Sequence, residues 1–276
     1  MDKDIRSNTG GRTDERTRKA WSDNWSGHDV EKVMEIFGYE RVKRLLAEFT
    51  AVLPEKGRIL EGGCGLGPWL VKLTELGYDM VGVDYDEVSV NKIKEYAPHI
   101  PVYAADVEDM PFEDNSFSAY MSLGVLEHFS EGPGKAAKEA FRVLEEGGLF
   151  LLMLPYLNFQ RRIELPLRRI KRNRTVRKFL GKQEKDYYYE YWFKEREIRD
   201  FLSEAGFDIE KIAPVDHIFT FVSLSGLFRD RSTYDGENRL AVKVSDFFRK
   251  FFPWQTSSSY MVTARKSSHK QKGRIK

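Results

Sequence analysis

Hydrophobic positions along the chain follow two rhythms. Val30, Val33, Met34 and Phe37 recur at helical spacing, and so do Val42, Leu45, Leu46 and Phe49. Two helices are therefore predicted ahead of residue 58, separated at Gly38 and Tyr39. From Arg58 onward the pattern changes to short apolar runs divided by amphipathic stretches. Strands are predicted at Ile59–Leu60, at about 79–84 and 101–105, at 117–123 (F-S-A-Y-M-S-L) and at 149–155 (L-F-L-L-M-L-P). Helices are predicted between them over about 67–77, 87–97 and 134–145, with E-E-G-G at 145–148 as a stop and turn. A helix over about 194–205 carries Ile198, Phe201, Leu202 and Ala205 on one face, and Gly206 ends it. The stretches 206–212 and 259–266 read as the last strands. Strands alternating with helices imply an α/β fold around a parallel sheet.

Two segments exceed that minimal core, 156–193 and 217–257. Connections this long in a compact domain serve as lids or specificity elements. The first holds Arg161, Arg162, Arg168, Arg169, Lys171, Arg172, Arg174, Arg177 and Lys178, followed by the aromatic cluster Tyr187–Tyr189, Tyr191, Trp192 and Phe193. In the second, Leu240, Val244, Phe247, Phe248 and Phe251 share a helical face beside Lys243, Arg249 and Lys250. Such surfaces suit an anionic or lipid-linked small molecule or peripheral contact with a membrane; basic and aromatic residues also suit nucleic acid, which ranks behind. The other reading is a solvated basic surface over a packed lid.

Composition narrows the picture little. The 276 residues are 41% hydrophobic and carry a formal charge of +2, enough for one domain with additions. A single cysteine, Cys64, excludes an internal disulfide and a cysteine zinc site, and no metal is expected. The polar start M-D-K-D-I-R lacks the apolar stretch of a signal peptide, and no run is long enough to span a bilayer, so a cytoplasmic protein is expected. Residues 1–20 and the tail 267–276 are expected to be disordered.

The chemistry centres on R-I-L-E-G-G-C-G-L-G-P-W, residues 58–69. Gly63, Gly65 and Gly67 alternate between a strand and a helix start. There the backbone takes positive φ and amides face a ligand. The spacing differs from the G-x-G-x-x-G of dinucleotide sites, Glu61 would repel a pyrophosphate, and no G-K-[ST] follows. V-G-V-D-Y-D-E (81–87) ends a strand on Asp84, placed to accept from ribose hydroxyls. P-V-Y-A-A-D-V (101–107) ends on Asp106 and Val107, suited to an adenine amino group and ring.

With F-S-A-Y-M-S-L-G-V-L-E-H-F (117–129), these motifs resemble the class I S-adenosylmethionine-dependent methyltransferases of the small-molecule type. The resemblance implies a Rossmann-like, seven-stranded, mostly parallel sheet with helices on both faces. Residues 21–266 would form the domain, with 21–57 as a helical cap. It implies S-adenosyl-L-methionine as cofactor, held by Glu61, Gly63, Cys64, Gly65, Asp84, Tyr85, Asp106, Val107 and Leu123. His128 is the candidate base; Trp25, Tyr156 and His217 are candidate substrate contacts. Glu61 stands where Asp is more usual. The strand-4 loop is S-L-G-V rather than [DNS]-P-P-[YF], which favours O-, N- or C-methylation of a small molecule. The alternatives are an RNA methyltransferase, a non-catalytic relative that binds cofactor or partners, and a nicotinamide oxidoreductase.

Overall fold

The computed structural model describes residues 14–163, 190–230 and 236–267. The basic run from Arg168 to Lys178, the tyrosines at 187–189 and the last nine residues of the tail lie outside them.

Strands β1 (Arg58–Gly62), β2 (Asp79–Asp84), β3 (Val102–Ala104), β4 (Phe117–Leu123), β5 (Leu144–Pro155), β6 (Phe207–Val215) and β7 (Ser259–Lys266) form one sheet in the order β3-β2-β1-β4-β5-β7-β6. Only β7 runs antiparallel to its neighbours. The expected seven-stranded, mostly parallel sheet is thus present. β5 begins earlier than predicted: Leu144 pairs with Phe117, and the register then shifts so that Leu149 pairs with Ala119. The E-E-G-G turn is an irregularity within the strand.

Alternation along the strands builds two cores. Ile59, Met80, Leu149 and Leu151 face one side; Leu60, Val81, Phe150 and Leu152 face the other. Helices α4 (Pro68–Glu75) and α5 (Glu87–Tyr96) cover the first face, and α6 (Gly134–Val143) and α7 (Glu195–Ala205) cover the second. Gly206 closes α7 at φ 101°, as its position predicts. Because β2 and β3 lie on one side of β1 and β4 and β5 on the other, chain order reverses between β1 and β4. A crevice opens there beyond the carboxyl ends of the strands.

Three helices precede the sheet, not two: α1 (Asp14–Ser26), α2 (Val30–Met34), which passes into a 3₁₀ turn (Glu35–Gly38), and α3 (Glu40–Thr50). Helix α1 corrects the expectation of disorder across residues 14–20. The second insertion forms helices α8 (His217–Leu224), α9 (Arg239–Phe251) and α10 (Pro253–Thr256). Ala241 and Ser245 of α9 are buried, and Ala241 packs with Ile218 and Val222 of α8. The face of α9 picked out by periodicity points outward: Leu240, Phe247, Phe248 and Phe251 are exposed. Among the described residues no helix is long and apolar enough to cross a membrane.

Candidate active site

The crevice holds a cavity of about 680 Å³, within the range of small-molecule sites. The loop after β1 forms its floor. The amides of Gly63 and Cys64 donate to the Val83 carbonyl at 2.8 and 3.0 Å, fixing the loop to β2. Gly63, Gly65 and Gly67 have φ of 73°, 54° and 69°. A Cβ on Gly63 would come within 2.5 Å of Val125, so the glycine is required by space as well as by φ.

Glu61 lies at the end of β1, 3% exposed, and its Oε2 has no hydrogen-bond partner. Burial pushes its carboxyl up to about 8, with the charge of Asp84 adding to the rise and the Leu70 amide acting against it. Asp84 is buried as well. Its two oxygens accept the amides of Gly65 at 2.7 Å and Asp86 at 2.9 Å. It therefore braces the glycine loop in addition to lining the cavity; a carboxylate retains further lone pairs for a ligand. Burial holds its carboxyl above the ordinary value despite those amides. Cys64 is buried, and burial raises its thiol well above the usual range, which fits a small loop residue and not a nucleophile.

Helix α1 closes one side. Arg18 pairs with Asp106 and lies over the Tyr85 ring, 5.2 Å from its centroid. The Tyr85 hydroxyl donates to the Arg18 carbonyl at 3.0 Å, and Ser22 donates to Asp86 at 2.9 Å. Asp106 also accepts the Glu108 amide at 3.0 Å. An adenine amino group at Asp106 would thus share the carboxylate with Arg18. Replacing Arg18 by alanine removes a half-exposed ion pair and a cation–π contact. It is expected to speed amide hydrogen exchange across residues 18–26 by about three- to tenfold, leaving the sheet unchanged.

All nine residues singled out for the cofactor line this cavity, as do Trp25 and His128. Trp25 stacks on Trp21 at 5.3 Å, and its ring sits over Gly65, 3.2 Å from where a Cβ would stand. That places it against the glycine loop. The His128 ring meets Trp21 edge-on at 5.2 Å.

Tyr156 and His217 are corrected: neither lines the cavity. The Tyr156 ring packs between Tyr260 at 4.5 Å and Trp254 at 5.9 Å, on the core beneath the sheet end. His217 is buried at the start of α8 with Nδ1 3.1 Å from the Thr256 hydroxyl, and burial lowers it to about 4. It is neutral and structural. The cavity is lined also by Glu127 and Phe129 after β4, by Gln160 and Arg161 after β5, by Glu190 and Trp192, and by Phe219 on α8. Among the described residues no group of acidic, His or Cys side chains could hold a metal ion.

Comparison with known proteins matches residues 60–152 to a methyltransferase domain family. Over these residues the chain is similar to S-adenosylmethionine-dependent methyltransferases. A relative from Mycolicibacterium smegmatis named "Probable S-adenosylmethionine-dependent methyltransferase" is 30% identical over 97 residues, which cover 35% of this chain and 37% of the relative. The match thus spans little more than a third of that protein. Among solved structures, an S-adenosylmethionine-dependent methyltransferase from Thermotoga maritima, titled a possible histamine N-methyltransferase, aligns with TM-score 0.56 at 18% identity, over 86% of this chain and 96% of its own. A second from Methanosarcina mazei aligns with TM-score 0.54 at 18% identity, over 80% and 97%. At such identities the likeness is one of fold.

The methyltransferase family and fold imply S-adenosyl-L-methionine as cofactor, and the residues fit it. Glu61 offers an uncommitted carboxyl oxygen to an amino group, the glycine loop admits close approach, and the strand-end acids Asp84 and Asp106 face the space beyond.

Proposed function

We propose that the protein transfers a methyl group from S-adenosyl-L-methionine to a small-molecule acceptor, free or linked to a lipid or glycan. The observation that carries this reading is the unpartnered Glu61 oxygen beside the glycine loop, in a cavity of about 680 Å³ lined also by residues other than those assigned to the cofactor. The bound cofactor supplies an electrophilic methyl group on a sulfonium sulfur. The chain's own residues have the remaining tasks. Glu61 would hold the amino group of the amino-acid end, while Asp84, Tyr85, Asp106 and Val107 would hold the nucleoside. Trp21 and Trp25 on α1 exclude water, and the remaining lining residues orient the acceptor. Alignment of this kind supplies roughly 7–11 kcal/mol in favourable cases. The test is transfer of labelled methyl to a pool of small metabolites and lipids, with each acceptor identified by mass. Binding of the cofactor without transfer to any acceptor would favour the non-catalytic alternative.

The exposed face of α9 supports peripheral contact with an anionic membrane. Its phenylalanines form a contiguous patch, with Phe247 5.4 Å from both Phe248 and Phe251, and Lys243, Arg249 and Lys250 are exposed beside it. Apolar side chains backed by cations match the boundary between headgroups and acyl chains. Sedimentation with vesicles containing phosphatidylglycerol is expected to fall at least about threefold when Phe247 and Phe251 become serine; each cation near such a surface is worth about 1 kcal/mol. Equal sedimentation of both proteins would remove this contact.

A further inference from the structure

A second buried carboxyl in the cavity has an oxygen without a hydrogen-bond partner. Glu127 belongs to the 3₁₀ turn Leu126–His128 after β4 and is 5% exposed, and its Oε2 has no hydrogen-bond partner. A Cβ on Gly124 would stand 3.6 Å from its Oε1, so the carboxyl lies beside the Leu123–Val125 loop, which also lines the cavity. The neighbouring polar groups are committed to one another. Asn158 donates to Thr220 and to the Ser257 carbonyl and accepts the Arg161 amide. Arg161 donates to the carbonyls of Tyr156 and Ser258 at 2.7 and 2.8 Å, with its guanidinium over the Trp192 ring. Glu190 accepts from the Trp192 indole at 2.9 Å. The Glu127 carbonyl accepts the Tyr191 amide at 3.0 Å, which anchors this wall to the turn.

Leaving a buried polar atom without a partner is costly, so the position calls for a use. Resting on the transferase reading, we infer that Glu127 is the catalytic carboxylate of the acceptor side, taking the proton of the hydroxyl or amine that becomes methylated. The acceptor's N–H or O–H proton passes to Oε2. The pair that held it forms the new bond to the methyl carbon, and the pair of the broken carbon–sulfur bond stays on sulfur. Acceptors whose nucleophilic atom carries a proton are therefore selected. A carboxylate acceptor has no proton to give to Oε2. Burial pushes the Glu127 carboxyl up to about 8, with the Glu190 charge adding to the rise and its own backbone amide and the Arg161 charge acting against it, within reach of a base working near neutral pH.

The test uses the full chain saturated with S-adenosylhomocysteine and a matched set of probes: phenethylamine, 2-phenylethanol and phenylacetate. Calorimetry is expected to show binding of the amine or the alcohol but not of the acid. Glu127→Gln, a neutral isostere, should bind S-adenosylmethionine as the wild type does, lose about tenfold or more in probe affinity, and lose about 10²–10⁴-fold in methyl transfer to the same probe. Glu127→Asp should recover part of the transfer. The inference is overturned if Glu127→Gln matches the wild type on both readouts, if the acid binds best, or if no probe binds while the cofactor does. In that last case the transferase reading stands without it, whereas failure of the wild type to bind S-adenosylmethionine would remove both.

Discussion

Replacing Asp84 by alanine is expected to weaken binding of S-adenosyl-L-methionine about a hundredfold or more. The side chain is buried and accepts two backbone amides, from Gly65 in the glycine loop and from Asp86 at the start of the next turn. A hydrogen bond to a charged group contributes about 1.5–3 kcal/mol, and an amide left buried without its acceptor costs a similar amount. Losing the brace therefore releases the loop that cradles the cofactor, in addition to any contact with the ribose. Asp106→Ala is the control. Its carboxylate pairs with Arg18 across a partly exposed interface, side chains 31% and 42% exposed, where an ion pair is worth about 0–1 kcal/mol. It should lower affinity only a few-fold. Calorimetry on both variants, with urea unfolding to separate loop release from global destabilisation, checks the difference. Equal losses for the two would mean that Asp84 is not the organising residue.

The second large effect is a pH dependence set by Glu61. Its carboxyl is raised by burial to about 8, so in the ligand-free protein it is protonated at neutral pH. Holding the cofactor's ammonium group requires the carboxylate, and each binding event must then release a proton. Affinity is expected to rise by up to about tenfold per pH unit between pH 6 and 8 and to level off near 8, where the cofactor's own amine begins to lose its proton. Glu61→Gln should abolish the slope.

Stability of the ligand-free fold runs the other way. The folded state keeps a proton that the unfolded chain gives up above the ordinary glutamate value. Unfolding therefore releases protons, and stability falls as pH rises from about 4.5 to 8, by up to about 1.4 kcal/mol per unit for such a group. Glu127, raised for the same reason, adds to this. Calorimetry in buffers of different ionisation heat counts the proton released on binding. A count of zero at pH 7 would contradict the assignment of Glu61.

Where a feature depended on local spacing, it was legible in the sequence. The alternating runs located every strand of the sheet, and the three glycines, each at positive φ, marked the loop. The strand-end acids fell around one cavity because parallel strands share a carboxyl edge. Features that depend on tertiary contact were not legible. Helix α1 reads D-E-R-T-R-K-A-W-S-D-N-W-S, with too few apolar residues for a stripe. Its observed place rests on Arg18, Ser22 and Trp25 docking on Tyr85, Asp86, Asp106 and Gly65. Tyr156 and His217 sit next to strand ends, as site residues should, yet both turn into packing. Only the side-chain environment separates Tyr156 from Gln160 and Arg161, a few residues away. Glu127 was hidden beside His128, since a glutamate in a loop reads as solvated until the 3₁₀ turn buries it.

The most direct test of the central claim is a parallel calorimetric titration of the full chain at pH 8 with S-adenosyl-L-methionine, S-adenosylhomocysteine and NAD. Binding of the first two at one site per chain, with no heat from NAD, is the predicted result. Binding of NAD alone would contradict the reading of Glu61, Asp84 and Asp106 as a nucleoside and amino-acid cradle.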